Sequence, residues 1–512
     1  MAPFNILVLV RGRMPNAEDR DRTEQTEPAA TELRLLKGTE DSLPADQILR
    51  EQIVGALRST FELYGFSPVD TPTLSFFDIL ASKYAGGDEI LKETYRLTDQ
   101  GGRELGLRYD LTVPFARLVG MYQEARIRLP FKRYEIGKVF RDGPIKKGRL
   151  REFIQCDVDI VGTSSPLAEA ELVSLADRAF GQLGLEVKCE INNRRLLAGI
   201  AEAAGFAPEL AGSVILSVDK LQKIGREGVE KEVRDKLDPA VPAERGPHLL
   251  DLYGADRVAQ WRAGVARALD RLFELLLLEG SRSEQLARLR SELPSPTAQC
   301  GLDELERCLA VLDPLGLHTP IEFTPNLARG LEIYTGTVYE FFLRDESVIG
   351  SSLAAGGRFD RIIGQFLHPD QPERAEDYPA VGLSFGVAPI QEAIRTLRPQ
   401  SASLQTVVEV VVVPLGTEAA SFQWAERLRS RGIRTDLDLS GRRLRKALEA
   451  ANAIGIPYVA ILGEEELAAG GVTLRDMRSG RQEKVDLDGA VAVIRGNLWS
   501  GAPVDSSRDR HA

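Results

Sequence analysis

Residues 131–162, FKRYEIGKVFRDGPIKKGRLREFIQCDVDIVG, constrain the fold of this chain more than any other stretch. Aromatic and branched residues before Gly143-Pro144, and an alternating run after the basic turn, predict two strands joined as a hairpin. The predicted turn is cationic and carries Arg141, Lys146, Lys147, Arg149 and Arg151. The return strand carries Gln155, Asp157 and Asp159 at period two, so these three side chains share one face.

The two chemistries of this hairpin suit two kinds of ligand. Guanidinium and ammonium groups suit phosphate oxygens, whereas the acceptors on the return strand suit an ammonium or another NH-bearing group. The hairpin therefore predicts a site that joins a nucleotide to a small amine-containing molecule. The plainer alternative for a basic turn is an exposed, solvated charge run.

Composition and charge exclude several classes of protein. A length of 512 residues predicts roughly three domains, and 43% hydrophobic with 28% charged residues is typical of a globular protein. No segment approaches the roughly 18 apolar residues of a membrane span. A net charge of −11 argues against indiscriminate nucleic-acid binding, although two local basic surfaces remain candidates. They are the hairpin turn and the run Arg442-Arg443-Leu444-Arg445-Lys446.

The N-terminal segment and the four cysteines indicate the cellular compartment and whether a metal site is expected. MAPFNILVLVRGRMP has no preceding basic region and no small-residue cleavage site, so we expect no signal peptide, and residues 1–32 are predicted to be a disordered extension. Cys156, Cys189, Cys300 and Cys308 lack CxxC spacing. We therefore expect no disulfide framework and no protein metal site, and a cytoplasmic location.

Patterning along the chain predicts several units. Residues 45–65 have helical periodicity and precede a strand with Pro68 and Pro72, which is typical of an edge or an interface. Residues 205–320 are predicted to be largely helical. A linker at 396–406 leads to strand–helix alternation over 407–500, which predicts an α/β domain with a mostly parallel sheet, and 501–512 form a polar tail.

The hairpin resembles motif 2 of class II aminoacyl-tRNA synthetases, and in particular the histidyl-tRNA synthetase family. Three further segments match that family in the same order: LRYDLTVPFAR (107–117), ARGLEIYTGTVYE (328–340) and AAGGRFD (354–360). Four ordered matches make coincidence negligible.

The resemblance implies an α+β catalytic domain over 33–395, with the antiparallel class II sheet and a helical insertion at about 205–320. It also implies a C-terminal α/β anticodon-binding domain, through the match SGRRLRKALEAANAIGIPYVAILGEEEL. The segment around Pro72 matches motif 1, which in the family builds a homodimer interface.

The implied activity is histidine–tRNA ligation: ATP activates L-histidine to histidyl-adenylate, and the histidyl group passes to tRNA(His). Mg²⁺ is expected to accompany ATP, held largely by the nucleotide phosphates. Arg141 and Arg329 match the family's catalytic arginines on two sides of the α-phosphate. The resemblance implies that Arg141 also holds the substrate carboxylate, and that both arginines are histidine-binding residues. Arg141 and Arg149 are the expected ATP ligands. Taken alone, an Arg-Gly pair such as Arg329-Gly330 is more often a surface arginine.

The implied histidine pocket has an ammonium end and an imidazole end. Asp110, Thr112 and Gln155 match residues that hold the α-amino group. Asp159 and Tyr334 match residues that hydrogen-bond the two imidazole nitrogens. A histidine side chain requires a polar partner on each of the two ring edges that carry nitrogen. The plainer alternatives are a strand-end carboxylate facing water for Asp159 and a half-buried strand aromatic for Tyr334.

The chain departs from the family pattern at three places. Asp142-Gly143 stands where the family has a glutamate that contacts adenine. Ala388-Pro389 stands where an acidic residue and an ATP-binding arginine are usual, a loss for which Arg149 is the expected compensation. Phe359 stands where the family usually has tyrosine.

These departures keep a second hypothesis open, namely a non-catalytic, histidine-sensing regulatory subunit of histidine biosynthesis. A third is an enzyme that makes another histidyl conjugate. The C-terminal module and the intact Arg141, Arg329, Asp159 and Tyr334 favour the ligase. Arg442, Arg443, Arg445 and Lys446 are candidate tRNA contacts, with a solvated helix start as the alternative.

Overall fold

The computed structural model describes residues 33–81, 88–122, 126–145, 150–237, 255–329, 333–368, 370–399 and 405–498. Several predictions lie outside these residues. They are the extension over 1–32, the tail over 501–512, and Lys146, Lys147 and Arg149 of the basic turn.

An eight-stranded sheet forms the first and larger part of the fold. Its strands are β1 (Ser67–Pro68), β5 (Phe131–Phe140), β6 (Glu152–Val161), β7 (Val187–Asn193), β8 (Ile321–Phe323), β9 (Thr337–Leu343), β10 (Ala354–Arg358) and β11 (Ala380–Gly386). Their spatial order is β1-β5-β6-β11-β10-β9-β7-β8. The six middle strands pair antiparallel, as predicted, whereas both edge strands pair parallel to their neighbours.

The predicted hairpin is the β5–β6 pair, in register from Phe131 opposite Val161 to Phe140 opposite Glu152. On β6, Cys156, Val158 and Ile160 are buried in the main hydrophobic cluster. Because successive side chains alternate between faces, the intervening Gln155, Asp157 and Asp159 lie on the opposite face. The sheet thus has one apolar face under helices and one polar face.

Helices cover the apolar face and flank the sheet. Those preceding the insertion are α1 (Pro44–Leu63), α2 (Phe77–Leu80), α3 (Asp88–Glu93), α4 (Thr112–Tyr122) and α5 (Pro166–Gln182). Two more helices follow β10, namely α12 (Ile362–Leu367) and α13 (Val387–Leu397). Phe61 of α1 and Phe180 of α5 both lie 5.6 Å, between ring centroids, from Phe385 of β11. This aromatic cluster fixes α1 and α5 on the sheet.

The described residues between β7 and β8 are largely helical, as the sequence predicts. These helices are α6 (Arg194–Ala204), α7 (Pro208–Val218), α8 (Leu221–Leu237), α9 (Ala255–Leu276), α10 (Arg282–Glu292) and α11 (Pro296–Leu312). Helix α6 begins directly after β7, where Asn193 accepts a hydrogen bond from the Arg195 backbone N–H. Short 3₁₀ turns lie at Asp313–Leu315 and Pro372–Arg374.

A small antiparallel sheet flanks the start of α4. It consists of β2 (Leu74–Phe76), β3 (Arg96–Thr98) and β4 (Glu104–Leu107), in the order β2-β4-β3. Strand β4 leads into the segment Arg108–Leu111 and then into α4, so it delivers residues 108–112 to the polar face of the main sheet.

The C-terminal part has its own five-stranded sheet and its own core. Its strands are β12 (Val410–Pro414), β13 (Thr435–Leu437), β14 (Tyr458–Leu462), β15 (Val472–Asp476) and β16 (Gln482–Val485). Its helices are α14 (Glu418–Ser430), α15 (Leu444–Ala453), α16 (Glu464–Ala468) and α17 (Leu487–Leu498). The prediction of a mostly parallel sheet is wrong in part: β13-β12-β14 pair parallel, but β14-β15-β16 pair antiparallel. The short turn between β15 and β16 permits only antiparallel pairing of those two strands.

No single helix in the described residues is long and apolar enough to cross a membrane, although α6 and α7 together have the required length and composition across a bend of 111°.

Candidate active site

The polar face of β6 is buried and internally bonded. Gln155 Nε2 donates to Ser384 Oγ at 2.9 Å, and Ser384 Oγ donates to Asp157 Oδ1 at 2.5 Å. Asp157 and Asp159 are each 3% exposed, so the alternative of a water-facing carboxylate is wrong for Asp159. Gln155 Oε1 is buried without a hydrogen-bond partner among the described residues, which leaves an acceptor for a ligand N–H.

Asp159, Gly382 and Gly357 are cross-strand neighbours in the main sheet, and the Tyr334 side chain packs against Gly357. Asp159 is opposite Gly382 on β11, and Gly382 is opposite Gly357 on β10. A Cβ on Gly382 would lie 1.9 Å from Asp159 Oδ1, and a Cβ on Gly357 would lie 3.0 Å from Tyr334 Cδ1. The carboxylate thus lies over Gly382 and the tyrosine ring over the adjacent Gly357, about one strand spacing, or roughly 5 Å, apart along the sheet. Phe359 Cε1 would lie 3.1 Å from the same Cβ position on Gly382, so the ring of Phe359 packs beside the Asp159 carboxylate.

The family resemblance implies that this face binds histidine, so Gly382→Ala is expected to impair that binding while leaving the fold intact. The added methyl group would displace the Asp159 carboxylate, and we expect KM for histidine to rise by about tenfold or more, the cost of one disturbed charged hydrogen bond. Gly264→Ala is the matched control, because a Cβ there meets nothing within 4 Å. Steady-state kinetics would measure both, and equal KM values would refute the role assigned to this row.

Burial and like charge govern protonation at this face. Burial raises the pKa of Asp157, and the neighbouring Asp159 raises it further. Burial also raises the pKa of Asp159, but the Arg133 guanidinium opposes that rise. Arg133 Nη2 lies 2.7 Å from Asp159 Oδ2 without an aligned hydrogen bond, so the contact is an ion pair.

Asp110 and Thr112 lie where β4 leads into α4. Asp110 Oδ1 accepts from the backbone N–H groups of Thr112 and Val113, at 3.2 and 3.1 Å, and so caps the helix. Burial raises the pKa of Asp110, whose charge faces Arg141 and Arg133. Asp110 also faces the Asp157–Asp159 pair. The structure therefore brings this predicted ammonium contact to the polar face of β6.

Arg141, which directly follows β5, contacts two aromatic rings. Its Cζ lies 4.2 Å from the ring centroid of Tyr109 and 4.9 Å from that of Phe153, and its Nε donates to Tyr109 O at 3.3 Å. Cation–π contact with these rings restricts the guanidinium while leaving its N–H groups able to donate hydrogen bonds. Arg141 is thus preorganised to bind an anion in the plane of its fork.

Arg329 forms an ion pair with Glu340 of β9, and its guanidinium carbon lies 5.6 Å from the Tyr334 ring centroid. Burial opposes ionisation, but Tyr334 and Glu340 raise the pKa of Arg329 above its ordinary value, so it remains a cation. Asp219, at the end of α7, also faces Arg329. The structure thus joins Arg329 to Tyr334, but the fork of Arg329 is bonded to a protein carboxylate.

Sequence reasoning missed the residues that support these groups, chiefly Arg133, Ser384, Glu93 and Glu340. Arg133 lies directly opposite Asp159 across the hairpin, so the register of β5 and β6 would have found it had the turn length been known. Glu93 fills the space beside Gly143, where an added Cβ would lie 2.6 Å from its Oε1. Arg149 lies outside the described residues.

Comparison with known proteins decides the family. The family model described as histidyl-tRNA synthetase matches residues 38–390, and the anticodon-binding domain model matches residues 409–497. The chain belongs to the histidyl-tRNA synthetase family.

Relatives cover nearly the whole chain. The chain is 46% identical to histidine–tRNA ligase 1 of Bacillus anthracis, over 89% of this chain and 98% of that protein. The histidyl-tRNA synthetase structure from Nostoc sp. PCC 7120 superposes with a TM-score of 0.74 at 26% identity, over 91% of this chain and all of that one. A Bacillus halodurans structure named as an ATP phosphoribosyltransferase regulatory subunit/histidyl-tRNA synthetase shares the fold, with a TM-score of 0.62 at 22% identity over 83% and 97% of the two chains.

The basic run of this synthetase-family chain lies at the start of α15. Arg442 and Arg443 precede the helix, and Arg445 and Lys446 lie in its first turn. The side chains of Arg445 and Lys446 are 90% and 71% exposed and both pair with Glu449, while Arg442 pairs with Asp438. Arg442 also borders a cavity of about 400 Å³ between α15 and the sheet. These exposed cations are available to phosphates.

Among the residues that the structure describes, no group of three or more His, Cys, Asp or Glu side chains could hold a metal ion. The four cysteines are free.

Proposed function

We propose that this chain ligates L-histidine to tRNA(His) in two steps, with ATP as the activating substrate. The family assignment supports the ligase activity. The observation that carries histidine as the amino acid is the row Asp159–Gly382–Gly357 with Tyr334 above it. The Asp159 carboxylate can accept a hydrogen bond and the Tyr334 hydroxyl can donate one. This pair suits an imidazole, which has one N–H and one nitrogen lone pair.

In the proposed roles, Asp159 accepts the imidazole N–H and Tyr334 donates to the other ring nitrogen. Gln155 Oε1, Asp110 and Thr112 bind the α-ammonium group. The unpartnered Gln155 acceptor supports this assignment, because an ammonium group is a donor only.

Activation requires the histidine carboxylate to attack the α-phosphate of ATP, which expels pyrophosphate. Arg141 would hold the α-phosphate and the carboxylate with its fixed fork, and Arg329 would neutralise the opposite side after leaving Glu340. Arg149 would bind the outer phosphates, and Mg²⁺ would arrive with the nucleotide. Positioning and charge neutralisation supply most of the rate enhancement in such chemistry.

Transfer to tRNA completes the reaction, and Arg442, Arg443, Arg445 and Lys446 are the proposed phosphate contacts. A homodimer formed around Pro72 and a cytoplasmic location complete the proposal.

The regulatory-subunit alternative is not favoured, because relatives named as ligases match over most of the chain. Charging of tRNA(His) with labelled histidine is the direct test. Histidine binding without charging would favour the regulator instead.

Pro389→Arg is expected to improve ATP binding. Pro389 is the third residue of α13, where a missing N–H breaks no helical hydrogen bond, so the fold tolerates either residue. A restored charged hydrogen bond contributes about 1.5–3 kcal/mol, so KM for ATP should fall by about tenfold or more. Pro389→Ala is the control that removes the ring without adding a cation, and an unchanged KM in the arginine variant would contradict the prediction.

A further inference from the structure

Arg133 is the most deeply buried cation of the polar face. Its exposed fraction is 0%, and its guanidinium carbon lies 4.3 Å from the ring centroid of Phe115. Neither feature belongs to an ordinary surface arginine, since an ion removed from water costs several kcal/mol unless it is well paired. A cation in this position therefore needs a specific reason.

The guanidinium joins the two halves of the histidine pocket. Its Nη2 donates to Leu111 O at 3.0 Å and forms the 2.7 Å ion pair with Asp159 Oδ2. Leu111 is the residue between Asp110 and Thr112, so one nitrogen contacts both the ammonium-binding loop and the imidazole-binding carboxylate. Its Nη1 lies 3.5 Å from Glu135 Oε2, which anchors the other edge of the fork.

The surrounding charges make this contact decisive for Asp159. The acids facing it are Glu135, Asp157 and Asp110, all of which disfavour a further negative charge. Arg108, a second buried guanidinium at this face, lies 2.9 Å from Glu135 and is engaged there. Arg141 faces Asp110 from the end of the hairpin. Among the described residues, Arg133 is the cation in direct contact with Asp159.

We propose that Arg133 is a positioning residue that keeps Asp159 ionised and fixes it relative to the loop carrying Asp110 and Thr112. This inference rests on the proposed function, because it assumes that Asp159 accepts the imidazole N–H. When Asp159 is protonated, one of its oxygens carries a hydrogen and becomes a donor. That oxygen can no longer accept a hydrogen bond from the imidazole N–H. Arg133 thereby sets the lower pH limit of histidine binding without touching the substrate.

The test is the pH dependence of KM for histidine in Arg133→Met and Arg133→Lys. An arginine beside an aspartate lowers the pKa by about 1–3 units, so Arg133→Met should raise the pKa of Asp159 by that amount. Asp159 would then take up its proton at higher pH. Because the pKa of Asp159 starts at about 6, the ratio of variant to native KM should rise between about pH 8.5 and about pH 6.5. The rise should be about threefold if the pKa increases by one, and more than about tenfold if it increases by two or three. The ratio cancels the titration of free histidine, which enters both proteins equally.

Arg133→Lys separates charge from geometry. Lysine keeps the cation but lacks the fork that reaches Leu111 and Asp159 together. Its KM ratio should be raised by a constant factor with little dependence on pH. A flat ratio in Arg133→Met as well would overturn the proposal.

Two further variants control for loss of stability. Arg358→Met removes another buried guanidinium, whose partners are Glu169 and Asp360. It should lower Tm, but the ratio of variant to native KM should not change with pH. In Asp159→Asn the group proposed to titrate is absent, and adding Arg133→Met should produce no further pH-dependent change. A remaining pH dependence would assign the effect to Asp157, whose pKa Arg133 also lowers, and would overturn the proposal. If Arg133→Met does not fold, Asp159→Asn alone still tests the proposal. The rise of KM for histidine at low pH should change in this variant, and an unchanged pH dependence would overturn the proposal. Failure of the native protein to use histidine at all would instead refute the proposed function.

Discussion

Arg329→Ala is expected to reduce the rate of histidyl-adenylate formation by about 10²–10³-fold, the range seen when one preorganised group that stabilises transition-state charge is removed. Negative charge develops on the α-phosphate as the carboxylate attacks, and Arg329 is the proposed cation on one side of it. Its ion pair with Glu340 keeps the guanidinium charged and close to Tyr334 before ATP binds. Single-turnover formation of adenylate from labelled ATP would measure the effect.

Arg344→Ala is the matched control for that experiment. Arg344 directly follows β9, and its side chain is 44% exposed and bonds to the His318 carbonyl. The substitution removes a guanidinium from the same part of the fold without touching the site, so the rate should stay within about twofold of native, as for most surface changes. A native rate in Arg329→Ala would remove Arg329 from the mechanism.

Glu169→Ala is expected to destabilise the catalytic part of the chain by about 3 kcal/mol, the usual cost of leaving a buried charge without its partner. Glu169 of α5 accepts two hydrogen bonds from Arg358 of β10, at 2.6 and 2.8 Å, and both side chains are 5% exposed. Asp360 also pairs with Arg358, which holds the loss at the lower end of the range. Calorimetry would follow the shift of the corresponding transition.

The matched control lies two residues further along the same helix. Glu171 pairs with Lys132, but their side chains are 34% and 27% exposed. Surface ion pairs contribute about 0–1 kcal/mol, so Glu171→Ala should change Tm little. Equal losses in the two variants would mean that α5 itself, rather than the buried pair, accounts for the effect.

The polar face of β6 could be predicted from the sequence because strand periodicity alone places Gln155, Asp157 and Asp159 together. The arrangement of Asp159 and Tyr334 over two glycines could not, since it depends on the pairing of β6 with β11, whose residues lie more than 200 positions apart in sequence. Periodicity also gives no register for a hairpin whose turn length is unknown, which is why Arg133 was missed.

The C-terminal sheet illustrates a different limit. Near-continuous apolar runs such as Val410–Pro414 and Tyr458–Leu462 correctly predict buried parallel strands. The last two strands have a mixed pattern, and their connection rather than their composition fixes the antiparallel pairing. Local pattern thus predicts burial better than it predicts direction.

ATP–pyrophosphate exchange with the native protein tests the central claim most directly. We expect exchange with L-histidine, and none with histidinol, which lacks the attacking carboxylate, or with leucine, which cannot bond to both Asp159 and Tyr334. Histidine-dependent exchange would establish adenylate chemistry at this site despite Pro389. Saturable histidine binding without exchange would contradict the account and leave the chain as a histidine-binding protein on a synthetase fold.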